Sequence, residues 1–463
     1  MFNRLSNRNA ARWVKHGALL SAALVAIAPL QPALAKRAAP VAIAPADFAT
    51  ELRRGVGEDL AGVYAARSYR PIWLTASGTL DPAARTLVAL ADTAWIDEVD
   101  PATFPRAELA EALTRLDSDT SPAARARAEA ALSRTFVDLV LAMRKAPAAG
   151  MTYEHDLLRP QLPRRADALW AAANAPSLVD YVSAMQWMHP LYGQLRQAAL
   201  AQASDPDQLD PAVRTNLERL RALPAPGKGR TILVDAANAR LWMYEGDRPV
   251  DSMKVVVGKP ETQTPMYAGY VRYAILNPYW NVPDNLVQSR IAGNVVSRGP
   301  AYLRNAGYQV LADWSADPAP LDPTQVDWRA VANGQQEVRV RQLPGAGNAM
   351  GKVKFEFPNP LGIYLHDTPE KQLMLKDARQ FSNGCVRLED AERLGRWLFA
   401  GSLPAVGSAP EQKVDLPELV PVYITYLTAQ VEGGRIALGR DPYGRDARAG
   451  VLASSAGTTV ASK

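Results

Sequence analysis

The sequence predicts an α+β multidomain chain: an N-terminal α-helical scaffold domain, then a β-rich domain that carries a lid insertion. Three observations predict it. The chain has 463 residues, whereas single cores rarely grow beyond roughly 250–300. From Asp47 to about Ala222 apolar residues recur at helical spacing, and after "PAPGKGR" (224–230) they alternate with polar ones. Between about 293 and 350 that alternation is broken by mixed, proline-rich text. Apolar residues make up 48% and charged residues 21% of the chain, a composition that can bury a sizeable core.

The first 35 residues read as a cleavable signal peptide. "MFNRLSNRNAARWVKHG" is positively charged, "ALLSAALVAIAPL" is a short apolar run, and Ala33–Ala35 has the small residues of a cleavage site. The alternative is a retained membrane anchor, but about 13 apolar residues are too few to span roughly 30 Å of hydrocarbon. No later stretch has 18 uninterrupted apolar residues, so no stable membrane span is expected after cleavage. The expected location is the periplasm. Four of the 52 basic residues lie in the signal with no acid, which leaves 48 against 47 acidic residues. With no basic stripe interleaved with aromatics, nucleic acid is excluded as a partner.

Residues 36–46, "KRAAPVAIAPA", form an Ala/Pro linker. Residues 47–222 form the helical domain. In "ARARAEAALSRTFVDLVLAMRK", Leu132, Phe136, Leu139 and Met143 fall on one helix face. Asp210 before Pro211 reads as an N-cap with Pro at the first helical position. Met185 and Trp187 are explained by periodicity as core, and His155 and His189 as structural or surface histidines. Residues 223–428 form the strand-rich domain, with 293–350 as the lid. Residues 429–450 are read as a C-terminal extension packed on that domain, and 451–463 as a disordered tail.

The only cysteine, Cys385, stands in "QFSNGCVRLED". Exported proteins often pair cysteines in disulfides, which a lone one cannot do within its own chain. It is either a small buried hydrophobe or a reactive thiol. A cysteine nucleophile needs a base or a positive field, because a pKa of about 8.5 leaves only a few per cent ionised at neutral pH. His366, in "GIYLHDTP", is the one histidine in the strand-rich domain, and Tyr364 shares its strand face by the two-residue period. "DAERLGRWLFAG" has helical spacing, so Cys385 is expected shortly before a helix N-terminus, whose dipole favours an anion. Gly384 allows close approach and would free backbone N–H groups for an oxyanion hole. Arg387 adds a positive charge; its alternative is a structural ion pair with Glu389 or Asp390. Together these features describe an activated thiol with an anion site.

A zinc site needs three or four ligands at suitable spacing, so no metal is expected. Without a GxSxG elbow, a GxxxxGK[ST] loop or a GxGxxG turn, serine hydrolase, nucleotide and dinucleotide chemistries are demoted, and no cofactor is expected.

"HDTP…FSNGCVRL" resembles the signature of the L,D-transpeptidases, bacterial enzymes that remodel peptidoglycan through a catalytic cysteine in a β-rich domain. "RSYRPIWLTASGTL", "MHPLYGQL", "NLERLR", "VVVGKPETQTP", "NPYWNVP", "RQLPGAGNAMGKVKFEFPN" and "DPYGRD" are similar to the large periplasmic branch of that family. The resemblance covers most of the chain from Tyr64 to Asp446. It implies Cys385 as nucleophile, His366 as general base and Tyr364 and Gly384 as further catalytic residues. Arg387, Ser382, Asn383 and Trp280 would bind substrate. Asn383 stands where shorter members often have His.

The reaction implied is acyl transfer. Cys385 attacks the amide between meso-diaminopimelate and the terminal D-alanine of a tetrapeptide stem, giving a thioester. The side-chain amine of a second stem then resolves it as a 3→3 cross-link. By resemblance the partners are peptidoglycan stem peptides, with cell-wall synthesis proteins as candidates, and carbapenems fit such grooves. The same thioester could instead be resolved by water or by an outer-membrane protein amine. A non-catalytic wall-binding scaffold is the reading from a different class. The segment between "MHPLYGQL" and the strand text is too short for the peptidoglycan-binding module that large members often carry.

Overall fold

A computed structural model describes residues 45–100, 103–315, 317–405 and 407–447. The signal peptide, all but the end of the linker, and the tail at 451–463 lie outside the described residues. Among the described residues no helix is long and apolar enough to cross a membrane.

The N-terminal half is helical, as its periodicity predicts. Its longest helix, Pro122–Arg144, is buried on most of its circumference, and Leu132, Phe136, Leu139 and Met143 are fully enclosed. Ser121 caps it, accepting from the Ala124 N–H, and Pro122 follows at the first position. Asp210 caps Pro211–Arg221 in the same way through the Ala212 N–H. Such caps typically stabilise a helix by about 1 kcal/mol. Met185 and Trp187 are core, and the Trp187 ring stands edge-on to Phe136. His155 and His189 both cap helical turns through Nδ1. Glu129 is fully buried on the long helix, where it accepts from the Tyr64 hydroxyl at 2.6 Å and the Ile72 N–H at 2.6 Å. It thereby fastens "SYRPIWL" to the helix. Burial pushes its carboxyl up to about 7, against the pull of these donors.

Sixteen strands follow in chain order among the described residues. They are β1 (Thr152–Tyr153), β2 (Arg230–Asp235), β3 (Arg240–Glu245), β4 (Arg248–Gly258), β5 (Tyr267–Leu276), β6 (Trp280–Asn281), β7 (Tyr308–Leu311) and β8 (Pro320–Leu321). The remainder are β9 (Arg339–Gln342), β10 (Val353–Glu356), β11 (Leu365–His366), β12 (Gln380–Ser382), β13 (Val386–Leu388), β14 (Gln412–Thr425), β15 (Ala429–Glu432) and β16 (Arg435–Leu438). The main sheet runs β5-β10-β11-β13-β4-β3-β2-β14, and β14 also pairs with β5, so the sheet closes on itself. Alternation divides its residues. Ile232, Val234, Leu241, Met243, Val422 and Ile424 face the inner core, into which Leu394 and Leu398 of the helix Ala391–Leu398 also pack. Leu233, Tyr244 and Tyr423 face outward into the helical half.

The helical half shares its core with the sheet, and β1 adds in parallel to the edge of β5. The helices are therefore a layer packed on the sheet.

The lid also starts earlier than expected. β6 pairs with β9, giving a second sheet of order β6-β9-β7-β8 with its own core around Val282, Ile291, Val340 and Trp328. The subdomain thus spans about 280–350. It is inserted between strands that are hairpin partners, since Leu276 of β5 stands opposite Val353 of β10. The "RQLPGAGNAMG" segment closes it: the buried Asn348 amide donates to the carbonyls of Pro278, Gln342 and Leu343 at 3.0–3.2 Å.

Candidate active site

β11 and β13 are parallel neighbours, with Leu365 opposite Val386 and His366 opposite Arg387. Side chains alternate along a strand and match across a register pair. Leu365, Val386 and Leu388 are therefore buried in the sheet core. Tyr364, His366, Cys385 and Arg387 share the other face. β10 extends that face, because Lys354 stands opposite His366 and Phe355 opposite Leu365. Lys354 and Glu356 consequently lie beside His366 and Tyr364, joined by an ion pair of 3.1 Å that is largely shielded from solvent. "KVKFEF" carries the signal that would have found these two residues, a charge at every second position. The sequence reading assigned neither a role.

Cys385 ends the loop Ser382–Cys385. Ser382 is buried, and its hydroxyl donates to the Cys385 carbonyl at 2.6 Å and accepts from the Gly384 N–H at 3.1 Å. Gly384 has φ +119°, which disfavours any side chain there. Its N–H is thus occupied, contrary to the expected free oxyanion donor. The N–H of Cys385 itself has no hydrogen-bond partner among the described residues. Asn383 is exposed at the loop tip.

The expected helix N-terminus beside the thiol is not there. β13 intervenes, the helix starts at Ala391, and Asp390 already caps it by accepting from the Arg393 N–H. Three residues are too few for periodicity to separate strand from helix.

Cys385 as a residue is half-buried, but the atoms crowded about its sulfur desolvate the thiol. Burial pushes the thiol up to about 11, and contacts with Tyr364 and the charge of Arg387 oppose this without reversing it. Burial also pushes His366 down to about 3, helped by the charges of Arg387 and Lys354 and opposed by Asp367. The resting pair is a neutral thiol and a neutral imidazole. The thiol points to the Gly362 carbonyl at 3.6 Å, and His366 Nδ1 lies 2.6 Å from the Asp367 carbonyl. A carbonyl only accepts, so Nδ1 carries the proton and Nε2 keeps the lone pair.

The Tyr364 ring stands at 68° to the His366 ring, with centroids 5.8 Å apart, and also packs against the lid core. Burial, together with Cys385 once ionised and the charge of Glu356, holds its hydroxyl far above the usual tyrosine range. Arg387 pairs with Glu370, not with Glu389 or Asp390. Glu389 is turned to β4, where it accepts from the Lys254 N–H at 3.0 Å. Trp280 is a core residue of the lid, 9% exposed and tilted against Tyr308. Among the described residues no cluster of three or more His, Cys, Asp or Glu could hold a metal ion.

A closed sheet with a cysteine and a histidine on adjacent parallel strands is the setting in which the family comparison falls. Residues 229–421 match the L,D-transpeptidase catalytic domain, and residues 58–198 match a scaffold domain. The chain therefore carries an L,D-transpeptidase catalytic domain behind a scaffold domain, as its sequence motifs imply. A protein of Haemophilus influenzae, assigned by name to the L,D-transpeptidases, is 28% identical over 286 residues. That alignment covers 60% of this chain and 57% of the relative.

Among solved structures, an L,D-transpeptidase from Mycobacterium smegmatis aligns at 10% identity and a TM-score of 0.22, over 44% of this chain and 61% of that one. An LD transpeptidase in complex with imipenem aligns at 11% identity and 0.21, over 44% and 60%.

Proposed function

We propose that the chain is a cysteine-dependent peptidoglycan L,D-transpeptidase that forms 3→3 cross-links through a thioester on Cys385. The observation that supports this most is the β11–β13 register, in which the one thiol of the chain shares a sheet face with His366, Tyr364 and Arg387. The catalytic-domain match supports the reaction class and a peptidoglycan substrate.

In this reading Sγ attacks the diaminopimelate carbonyl of the donor stem while Nε2 of His366 takes the thiol proton. Because both groups rest neutral, proton transfer accompanies attack; no thiolate waits in advance. Apo active sites often hold such partners loosely until substrate arrives. The carbonyl oxygen becomes an oxyanion facing the Cys385 N–H, a donor whose loss typically costs about 3–4 kcal/mol. The C–N bond breaks, and D-alanine leaves with the proton from His366. The amine of a second stem then attacks the thioester and gives up its proton to His366. Sγ departs as the new amide forms and recovers that proton. Tyr364 links this site to the lid, which closes over the bound stems. Arg387, held by Glu370, lowers the basicity of His366 and opposes protonation of Sγ.

Muropeptide analysis tests the proposal. The protein incubated with tetrapeptide stems should yield 3→3 dimers and free D-alanine, and Cys385→Ala should yield neither. Tripeptides without dimers would make water the acceptor and refute cross-linking.

A further inference from the structure

The Gly384–Cys385 peptide carries the N–H that the proposed mechanism uses, and its orientation is set from outside the loop. Thr264, fully buried, donates from Oγ1 to the Gly384 carbonyl at 2.7 Å and accepts from the Gly258 N–H at 2.8 Å. Tyr443, also buried, donates to the Gly258 carbonyl at 2.7 Å and lies 3.4 Å from the Thr264 N–H. Its ring stacks on Tyr426 at 5.2 Å and 18°. Arg445 holds the same loop, donating to the Gln263 side-chain oxygen at 3.0 Å and the Thr264 carbonyl at 3.0 Å. From the other direction, Lys259 N–H and Thr262 Oγ1 donate to the Ser382 carbonyl at 2.9 and 3.2 Å. The turn 258–264 is drawn tight, since a Cβ on Gly258 would stand 2.1 Å from the Thr262 carbonyl oxygen. "VVVGKPETQTP" and "DPYGRD", distant in sequence, thus form one scaffold behind the cysteine loop.

A trans peptide is planar, with its C=O and N–H pointing in opposite directions. Whatever fixes the Gly384 carbonyl therefore aims the Cys385 N–H. Gly384, with no Cβ and φ +119°, offers little resistance to rotation of that plane. The constraint must come from the carbonyl's partner, and that partner is Thr264.

We infer that Thr264, held in place by Tyr443, is a positioning residue that aims the Cys385 N–H at the oxyanion. The inference rests on the proposed acyl transfer but is testable without a stem peptide. Attack of Sγ on any acyl donor passes through a tetrahedral oxyanion that needs this N–H; thiol–disulfide exchange does not.

The experiment compares acylation of Cys385 by p-nitrophenyl acetate with its reaction toward a small aromatic disulfide, in the full chain. Thr264→Val should slow acylation about 10–100-fold, part of the range for a lost oxyanion donor, and change disulfide exchange less than about threefold. Thr264→Ser, which keeps the hydroxyl, should acylate within about twofold of wild type. Tyr443→Phe should slow acylation about 5–10-fold and keep the ring stack. It carries the test if Thr264→Val does not fold.

Unchanged acylation in Tyr443→Phe, or acylation and disulfide exchange falling together in folded variants, would overturn the inference. Wild-type protein that resists the acetate ester would overturn it too. Wild-type protein that is acylated but does not turn over stems would instead count against the proposed function.

Discussion

The protonation state of the resting thiol distinguishes a preformed ion pair from a neutral pair, and one cysteine in the chain makes it measurable. A thiol of pKa about 11 is about 10⁻⁴ ionised at pH 7, against about 3% for a free cysteine at about 8.5. The deficit is about 300-fold. A more basic thiolate is a better nucleophile, and a Brønsted slope of about 0.4–0.5 returns about 10–20-fold over that interval. The net expectation is that Cys385 reacts with a small disulfide roughly 15–30-fold more slowly than free cysteine at pH 7. The assay is release of an aromatic thiol under pseudo-first-order conditions. Its rate should climb about tenfold per pH unit from 6 to 10 without a plateau. His366, neutral down to about pH 3, should contribute no inflection near 6.5. His366→Ala should leave this profile in place while slowing acyl transfer about 10²–10⁴-fold, the span for lost general-base help. A plateau at or below pH 8.5, removed by His366→Ala, would refute the neutral pair and establish a thiolate–imidazolium pair.

Three further outcomes are expected. A carbapenem should add once, on the peptide containing Cys385, and not to Cys385→Ala; whole-protein mass spectrometry would show labelling elsewhere if the thiol is inert. Replacing residues 278–351 by an Asn-Gly turn should leave the β5–β10 hairpin and the main sheet folded, because Leu276 and Val353 are already register partners. Stem turnover should fall at least about tenfold, as for lost substrate positioning, and equal turnover would make the lid dispensable. Glu129 keeps its proton to about pH 7 in the fold against 4.5 unfolded, so its stabilising effect is complete below pH 4.5 and is lost as pH rises through 7. Chemical denaturation of wild type against Glu129→Gln should show that difference, about 3 kcal/mol across the interval; parallel pH curves would contradict it.

Much of the fold was legible because it is written in short-range periodicity. The helices Pro122–Arg144 and Ala391–Leu398 follow from apolar spacing, the cap of Pro211–Arg221 from Asp210 before Pro211, and the strands after residue 230 from the alternation of apolar and polar residues. The shared face of Tyr364 and His366 follows from the two-residue period. What was not legible depends on pairing between segments far apart in sequence. Val386–Leu388 becomes a strand because β4 and β11 flank it. The lid starts at Trp280 because Arg341 and Gln342 pair with that stretch. Thr264 and Tyr443 reach the cysteine loop only through the closed sheet, and no local pattern marks them. The direction of the Cys385 pKa also needed the structure. A nearby arginine and histidine suggested a stabilised thiolate, but desolvation outweighs the pull of Arg387 and Tyr364.

The central claim is a thioester between Cys385 and the donor stem. Whole-protein mass spectrometry after mixing with a tetrapeptide stem tests it most directly. The account predicts an added mass equal to the stem less its terminal D-alanine, located on the peptide with Cys385 and discharged by an acceptor stem amine. Release of D-alanine by Cys385→Ala, or turnover by wild type with no adduct on Cys385 at any time, would contradict it.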